Sequence, residues 1–479
     1  MTIERIHNWI NGEACAATDN SWIENINPAN GDVINLLPRS AEQDAFDAVA
    51  AAHDCYLNGG QGNSGAGGLN ALQRSDLLMT VAEAMTERLE EIALAESKDS
   101  GKPFLNALNG DVPRAIDNLR YFAKAVSTKT TPAVAADNAI NYVLRQPLGA
   151  VSLITPWNFP LHLLTWKLGP ALAMGNSVVA KPSEITPTTA SILGQLFADV
   201  GAPSGLFNVV HGFGNEIGDA IVRHPHIKAV SFTGGTETGK TIAAATAPLL
   251  KKTSFELGGK NPSVVFADCD IDHTIATVAR AAFFNSGQVC LCGSRVLVAA
   301  EIYDDFVDAL AEQAFVYRDQ IGPLVSQQHR DKVVAYIELA KQEGGEIICG
   351  GNAFGAEGGA FFEPTVIVGL DHDCRTVQEE IFGPVITVHR FDDDEHALQL
   401  ANNTQFGLAS SVFTSNLQRA HHFAEHIQSG MVWVNDWNMR DLRVPFGGMK
   451  QSGVGREGGD YSLNFFSQDR NICVRYNYE

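Results

Sequence analysis

The chain has 479 residues, of which 45% are hydrophobic and 19% charged; this is the composition of a globular enzyme with a large core and room for two or three domains. A formal net charge of −21 argues against nucleic acid or an anionic membrane as the main partner, although a local arginine pair could still hold an anionic small molecule. Eight cysteines without a CxxC pair or a dense framework predict reduced thiols in a cytoplasmic protein and no metal site.

In chain order, residues 1–40 read as short strands and turns without a signal-peptide core, and no apolar run reaches membrane-spanning length. Helical spacing follows over 41–57 and 72–97, the latter with Leu77, Leu78, Val81, Met85, Leu89 and Ile92 on one face. The glycine-rich stretch 58–68 between them follows a helix and not a strand, so it reads as a flexible surface loop and not a phosphate cradle. A further helix over 111–126 carries Arg114, Arg120 and Tyr121, and residues 139–147 alternate like a strand.

A β/α rhythm then begins, with strand-like runs at 151–155, 177–180, 206–210, 229–233 and 254–257 separated by helical stretches. This alternation predicts an α/β fold with a doubly wound parallel sheet, whose ligands bind beyond the carboxyl ends of the strands. Those ends carry Thr155, Pro156, Trp157 and Asn158, then Lys181, Ser183 and Glu184, then His211 and Gly212, then Gly234 and Gly235. A second α/β segment runs from 259 to about 450, with strand-like runs at 264–266, 296–299, 385–391 and 431–435. The alternating tail at 471–476 could pair with 139–147 as a projecting two-stranded unit whose open edges ask for a second copy.

Cys290 sits on a small polar turn between a helical run at 271–284 and the strand at 296–299. Such a turn can expose and activate a thiol, whereas most free cysteines are buried small hydrophobes. Asn158 and Glu256 supply the other two parts that acyl chemistry on a thiol needs, an oxyanion donor and a base. A competing reading comes from residues 234–241, Gly-Gly-Thr-Glu-Thr-Gly-Lys-Thr, which match the nucleotide P-loop pattern, with Asp268 ending a downstream apolar strand. A P-loop nucleotidase would leave Cys290, Glu256 and Asn158 without a role.

Taken together, Pro156-Trp-Asn-Phe-Pro160, Lys181-Pro-Ser-Glu184, Phe232-Thr-Gly-Gly235, Glu256-Leu-Gly-Gly-Lys-Asn261, Gly287-Gln-Val-Cys290, Glu379-Glu-Ile-Phe-Gly-Pro384 and Pro445-Phe-Gly-Gly-Met-Lys450 resemble the aldehyde dehydrogenase superfamily, in its order and along nearly the whole chain. The resemblance implies a nucleotide-binding domain (1–127 and 148–258), a catalytic domain (259–450), and a small β oligomerisation element with the tail (128–147 and 451–479), assembled as a homodimer or homotetramer. It implies that the Cys290 thiolate attacks an aldehyde, that Asn158 and the Cys290 N–H hold the oxyanion, and that Glu256 activates water to release a free acid. NAD is the implied cofactor, held by Thr155, Pro156, Trp157, Lys181, Ser183, Glu184, Gly212, Gly234, Gly235, Leu257, Glu380 and Phe382. The Glu184 carboxylate would repel a 2′-phosphate. Cys292 is expected to be a structural neighbour and His162 a packed or channel-lining residue.

Within the superfamily the likeness is to muconic semialdehyde dehydrogenases, carried by Leu164-Thr-Trp-Lys167, His211-Gly-Phe-Gly214, Phe266-Ala-Asp-Cys-Asp270, Cys290-Leu-Cys292, Arg440-Asp-Leu-Arg443 and residues 453–459. Such substrates carry a carboxylate remote from the aldehyde, which calls for a forked cation. Arg440 is the first choice, Arg120 the second, Arg443 a competitor to Arg440, and Trp166 a further substrate contact. Relatives acting on an uncharged or betaine-type aldehyde, or serving a non-enzymatic role, are the alternatives.

Overall fold

A computed structural model describes residues 3–59 and 65–476. Among these residues, an eight-stranded sheet runs in the order Gly453–Val454, Lys252–Glu256, Ile227–Thr233, Ala150–Ile154, Ser177–Lys181, Phe207–Val209, Asn8–Ile10, Glu13–Cys15. The five central strands, Lys252–Glu256 through Phe207–Val209, are parallel, and antiparallel partners close both sides. The central strands are apolar on both faces, and alternate residues enter different cores. Val178 and Ala180 join the helices Pro160–Ala173 and Thr188–Asp199, while Val179 joins Glu42–Gly59 and Gly214–Arg223. This two-sided burial is the physical content of a doubly wound sheet. The helix Pro160–Ala173 starts on a proline and stops before Gly175 (φ +87°), the usual asymmetry of helix ends.

A seven-stranded sheet takes the order Glu346–Cys349, Thr365–Val368, Val385–Phe391, Arg295–Ala299, Pro262–Val265, Ala409–Phe413, Met431–Val434, parallel throughout except at its first strand. The tail strand Ser467–Arg475 pairs with Ala139–Pro147 in nine-residue register, as the alternation predicts. A third strand, Ala133–Ala136, flanks Ala139–Pro147 on its other side, so the unit has three strands and not two. Ala-Val-Ala-Ala carries little β-branched signal, and the tight turn at Asp137-Asn138 supplies the pairing instead. Not all of the segment after 450 belongs to this small sheet. Gly453–Val454 pairs with Lys252–Glu256, and Gly459–Phe465 packs on Pro160–Ala173.

The glycine-rich stretch divides. Residues 60–64 lie outside the described residues, but Ala66 is buried and donates its N–H to the Gly175 carbonyl at 2.9 Å. The surface-loop expectation fails there, because alanine among small glycines lets two backbones meet.

Candidate active site

The parallel strands of the first sheet end on one side, and the second sheet faces them across a cavity of about 550 Å³. Trp157, Asn158, Gly234, Gly235 and Leu257 line it from the first sheet, and Cys290, Glu380 and Phe382 from the second. Its far end is walled by Arg114, His162 and Arg440.

The turn that delivers Cys290 is built from left-handed residues: Asn285 (φ +51°), Ser286 (φ +57°) and Gly287 (φ +70°). A Cβ on Gly287 would lie 2.1 Å from the Gly383 carbonyl oxygen, so no other residue fits. The Asn261 amide then donates to the carbonyls of Cys290 (2.7 Å) and Cys292 (2.8 Å), fixing the turn from behind. Cys290 is half-buried and faces the cavity, whereas Cys292 is buried with Sγ 3.8 Å from the Ala282 carbonyl. The thiol of Cys290 is less activated than the turn suggests. Burial, then the charges of Glu380 and Glu256, push it up to about 12, so the ligand-free chain holds it protonated.

Asn158 is buried beside it, and its Nδ2 donates one hydrogen to the Gln288 carbonyl at 3.0 Å, leaving a second to give. Glu256 closes the strand Lys252–Glu256, is 3% exposed, and neither carboxylate oxygen has a hydrogen-bond partner. It stands outside the cavity lining, turned toward Gly447, where a Cβ would come within 2.8 Å of Oε1. Burial first, and then the neighbouring Glu457, hold its pKa well above the usual carboxylate range. Lys167, which opposes that shift, is fully buried; its Nζ meets Glu457 Oε1 at 2.5 Å and Ser231 Oγ at 3.0 Å. Sequence reasoning missed this pair. A lone lysine inside the apolar helix Pro160–Ala173 was the available signal, and Glu457 offered none.

On the other side, buried Lys181 reaches Glu184 Oε2 at 3.2 Å and the Pro182 carbonyl at 3.1 Å. Thr155 and Thr233 each bury a hydroxyl without a partner at neighbouring strand ends. Gly235 caps the N-terminus of the helix Thr236–Thr246, and a Cβ there would meet nothing within 4 Å, so open space lies before those N–H groups. Glu380 accepts the Gly259 N–H at 2.9 Å, and Phe382 (φ +62°) stands edge-on to Trp157 with ring centroids 5.2 Å apart. Thr155, Lys181, Ser183, Glu184 and Gly212 lie beyond the cavity itself, on the strand ends beside it. Carboxylate, ammonium, aromatic shelf and helix N-terminus fit the ribose, ring and pyrophosphate of a dinucleotide.

At the far end, the Arg440 guanidinium lies 4.1 Å from the Phe446 ring centroid and 5.4 Å from that of Trp166. It has no hydrogen bond or ion pair among the described residues. Burial, then the Arg114 charge, lower its pKa to about 10, so it remains a cation at neutral pH. Arg114 also lines the cavity, with Nη2 buried and without an acceptor. His162 lines the same end as a neutral ring, its pKa held well below the usual value by burial and then by Arg440 and Arg114. Trp166 is buried outside the cavity lining, as the shelf under Arg440. Arg120 is not in the cavity. It donates to Thr86 Oγ1 at 3.0 Å and lies 4.0 Å from Asp117, because six helical residues turn it about 120° away from Arg114. Arg443 pairs with Asp441 on the exposed surface at 2.6 Å.

The P-loop reading is overturned. Lys240 pairs with Glu237 at 2.8 Å on the exposed face of its helix, and Asp268 belongs to the second sheet's surroundings, accepting from Thr414 and Arg419. Among the described residues no cluster of three or more His, Cys, Asp or Glu could hold a metal ion.

Comparison with known proteins agrees with this geometry. Residues 15–472 match the model of the Aldehyde dehydrogenase family. A 2-aminomuconic 6-semialdehyde dehydrogenase from a Pseudomonas species is 46% identical, over 96% of this chain and 98% of that protein. A 2-hydroxymuconic semialdehyde dehydrogenase from another Pseudomonas is 43% identical, over 99% and 100%. Among solved structures, the NAD+ complex of a Bacillus cereus aldehyde dehydrogenase superposes with a TM-score of 0.95 at 37% identity, covering 99% of this chain and 97% of that one. With a match over nearly its whole length, the chain belongs to the aldehyde dehydrogenase family.

Proposed function

We propose that this enzyme oxidises a semialdehyde bearing a remote carboxylate to the corresponding dicarboxylic acid, with NAD as cofactor. Its substrate is 2-hydroxymuconate 6-semialdehyde or 2-aminomuconate 6-semialdehyde, a product of aromatic ring fission. The observation that carries this reading is the far end of the cavity, where Arg440 and Arg114 face inward without a carboxylate partner. A betaine-type or uncharged aldehyde would leave both of these partly buried cations without a counter-charge. In this proposal Arg114 serves in the role first expected of Arg120, because Arg114 lines the cavity and Arg120 does not.

Cys290 Sγ bonds to the aldehyde carbon, and the carbonyl electron pair moves onto oxygen, where the free Asn158 Nδ2–H and the Cys290 N–H receive it. The Sγ proton must leave first, and Glu256 is the base that the buried site provides. Lys181, Glu184, Gly234, Gly235, Glu380 and Phe382 would hold NAD, which would supply the acceptor for the hydride that leaves the aldehyde carbon. After passing the Sγ proton on to solvent, Glu256 takes a proton from the water that adds to the thioester carbon; the C–S bond breaks and the Cys290 sulfur is released as the free acid forms, which makes the enzyme hydrolytic and not CoA-acylating. Lys167 and Glu457 set the proton affinity of Glu256.

The reading extends to organisation. Residues 1–127 and 148–258 form the nucleotide-binding domain and 259–450 the catalytic domain. The sheet of 133–147 and 467–475, with exposed Val134, Tyr142 and Val474, joins copies into a homodimer or homotetramer in the cytoplasm. The test is NADH formation by the purified enzyme with 2-hydroxymuconate 6-semialdehyde, an uncharged aldehyde of similar length and betaine aldehyde. The expected order is the carboxylated substrate first, by about tenfold or more in kcat/KM. Equal or better turnover of betaine aldehyde rejects the substrate assignment.

A further inference from the structure

The oxyanion donor has a support of its own, made of Lys102, Asp111 and Asn285. The Asn158 backbone carbonyl receives two donors. One is Lys102 Nζ at 3.1 Å and the other is Asn285 Nδ2 at 3.2 Å. Lys102 stands just past the left-handed end of the helix Leu89–Ser100, at Gly101 (φ +74°). Its side chain is 3% exposed, pairs with the Asp111 carboxylate, and lies 4.6 Å from the Phe159 ring centroid. Asp111 closes the π-helical turn Ala107–Asp111, three residues before Arg114, and reaches the cavity wall. π-turns are rare and recur at functional sites.

Asn285 closes the loop from the opposite side. It also donates to the Gln288 carbonyl at 3.3 Å, the same oxygen that accepts the Asn158 side-chain amide. Gln288 returns its own amide to the Asn285 carbonyl at 3.2 Å. The backbone carbonyl of Asn158 is thus held by Asn285 and its side-chain amide by Gln288, two residues of the Cys290 turn, while a buried cation ties the same carbonyl to the turn that leads into the helix carrying Arg114. A buried ion pair contributes little net stability, since a well-packed apolar pair of equal volume often does as well. What it adds here is direction.

We propose that Lys102 and Asn285 are positioning residues that set the Asn158 amide for the developing oxyanion, with Asp111 holding Lys102 in place. This rests on the oxyanion role given to Asn158 above. An oxyanion donor works only within a few tenths of an ångström of its place, so loosening it slows the bond-forming step without weakening substrate binding.

A double-mutant cycle on the rate of the first-turnover NADH burst decides the matter. Asn285→Gly keeps the left-handed backbone and removes only the amide. Lys102→Met keeps the length and removes the charge. Each is expected to slow the burst by about tenfold to a hundredfold, with aldehyde KM and the NAD dissociation constant unchanged. Placed on Asn158→Ala, neither should slow it further. If the losses instead multiply, Lys102 and Asn285 act elsewhere and the inference falls. If Lys102→Met does not fold, Asn285→Gly alone completes the cycle. If Asn158→Ala by itself keeps the full burst rate, the oxyanion role fails first, and that result is read before any double mutant.

Discussion

The two ends of the cavity are built on opposite principles. Around Cys290 the backbone is tied down: Asn261 grips the turn by two carbonyls, Gly287 fits against Gly383, and Asn158 is held through both its carbonyl and its amide. Around Arg440 the polar groups are left loose. Among the described residues its guanidinium rests on two aromatic faces and takes no acceptor, and Arg114 buries a nitrogen without one. Bond making needs geometry fixed before the substrate arrives, whereas recognition of an anion needs charge that nothing in the protein has already neutralised. An internal carboxylate at the far end would stabilise the ligand-free fold and compete with the substrate.

The sharpest way to break the comparison is at the fixed end. Cys290→Ala should lower turnover by about a thousandfold or more, because among the described residues no other thiol lines the cavity. Cys292→Ala should keep turnover within about tenfold, since its Sγ points to the Ala282 carbonyl in the core. NAD binding by fluorescence titration should be unchanged in both. An active Cys290→Ala enzyme would mean that the tied turn is a structural feature only.

The next effect in size concerns Glu256. Glu256→Gln should give one burst of NADH and then stall, with steady turnover reduced by about a hundredfold to ten-thousandfold and an acyl adduct on Cys290 visible by mass. The pH dependence has a definite sign. Burial and Glu457 raise the pKa of Glu256, so at low pH it is protonated and cannot accept a proton. The kcat of the wild-type enzyme should therefore rise with pH through that raised value, on a limb lying above the ordinary glutamate range near about 4.3. Lys167 favours the charged form, so Lys167→Met moves the limb to higher pH, and Glu457→Gln moves it to lower pH. A limb that stays in place in both variants would remove these neighbours from the tuning of the base.

The fold was legible where burial writes itself into the sequence. The five central strands are apolar on both faces, so they read as short β-branched runs between helices, and they sit where that pattern puts them. The strand Ala133–Ala136 escaped because alanine marks no period, and the Gly453–Val454 return to the first sheet because two residues carry no pattern. At the site, the family motifs reached Cys290, Asn158 and the strand-end residues. Lys167 and Glu457 stand 290 positions apart, and their contact is a property of topology alone. The two arginines of the helix Val112–Ser127 show the limit most clearly. Ala115, Ile116, Leu119, Phe122, Ala123 and Val126 mark the core stripe, and Arg114 and Arg120 flank it on opposite sides. Periodicity identifies both flanks. Only the packing of that helix on Pro160–Ala173 says which one meets the cavity.

That limit supplies the finest test of the loose end, because one helix carries both the expected effect and its control. Arg440→Ala should cut kcat/KM for a carboxylated semialdehyde by about tenfold to a hundredfold, the worth of one charge-assisted contact of about 1.5–3 kcal/mol. Arg114→Ala should cost somewhat less, since Arg440 remains. Each should alter kcat/KM much less for an uncharged aldehyde of similar length, which feels Arg440 only through its charge on Cys290 and Glu256. The ratio of the two substrates is the quantity to follow, because a variant that merely loosens the fold lowers both together. Arg120→Ala should leave the ratio where it is, since its partners are Thr86 and Asp117 and an exposed contact of this kind is worth little. If Arg120→Ala shifts the ratio and Arg114→Ala does not, the helix presents its other flank to the substrate, and the uncommitted charge at the far end has been read from the wrong arginine.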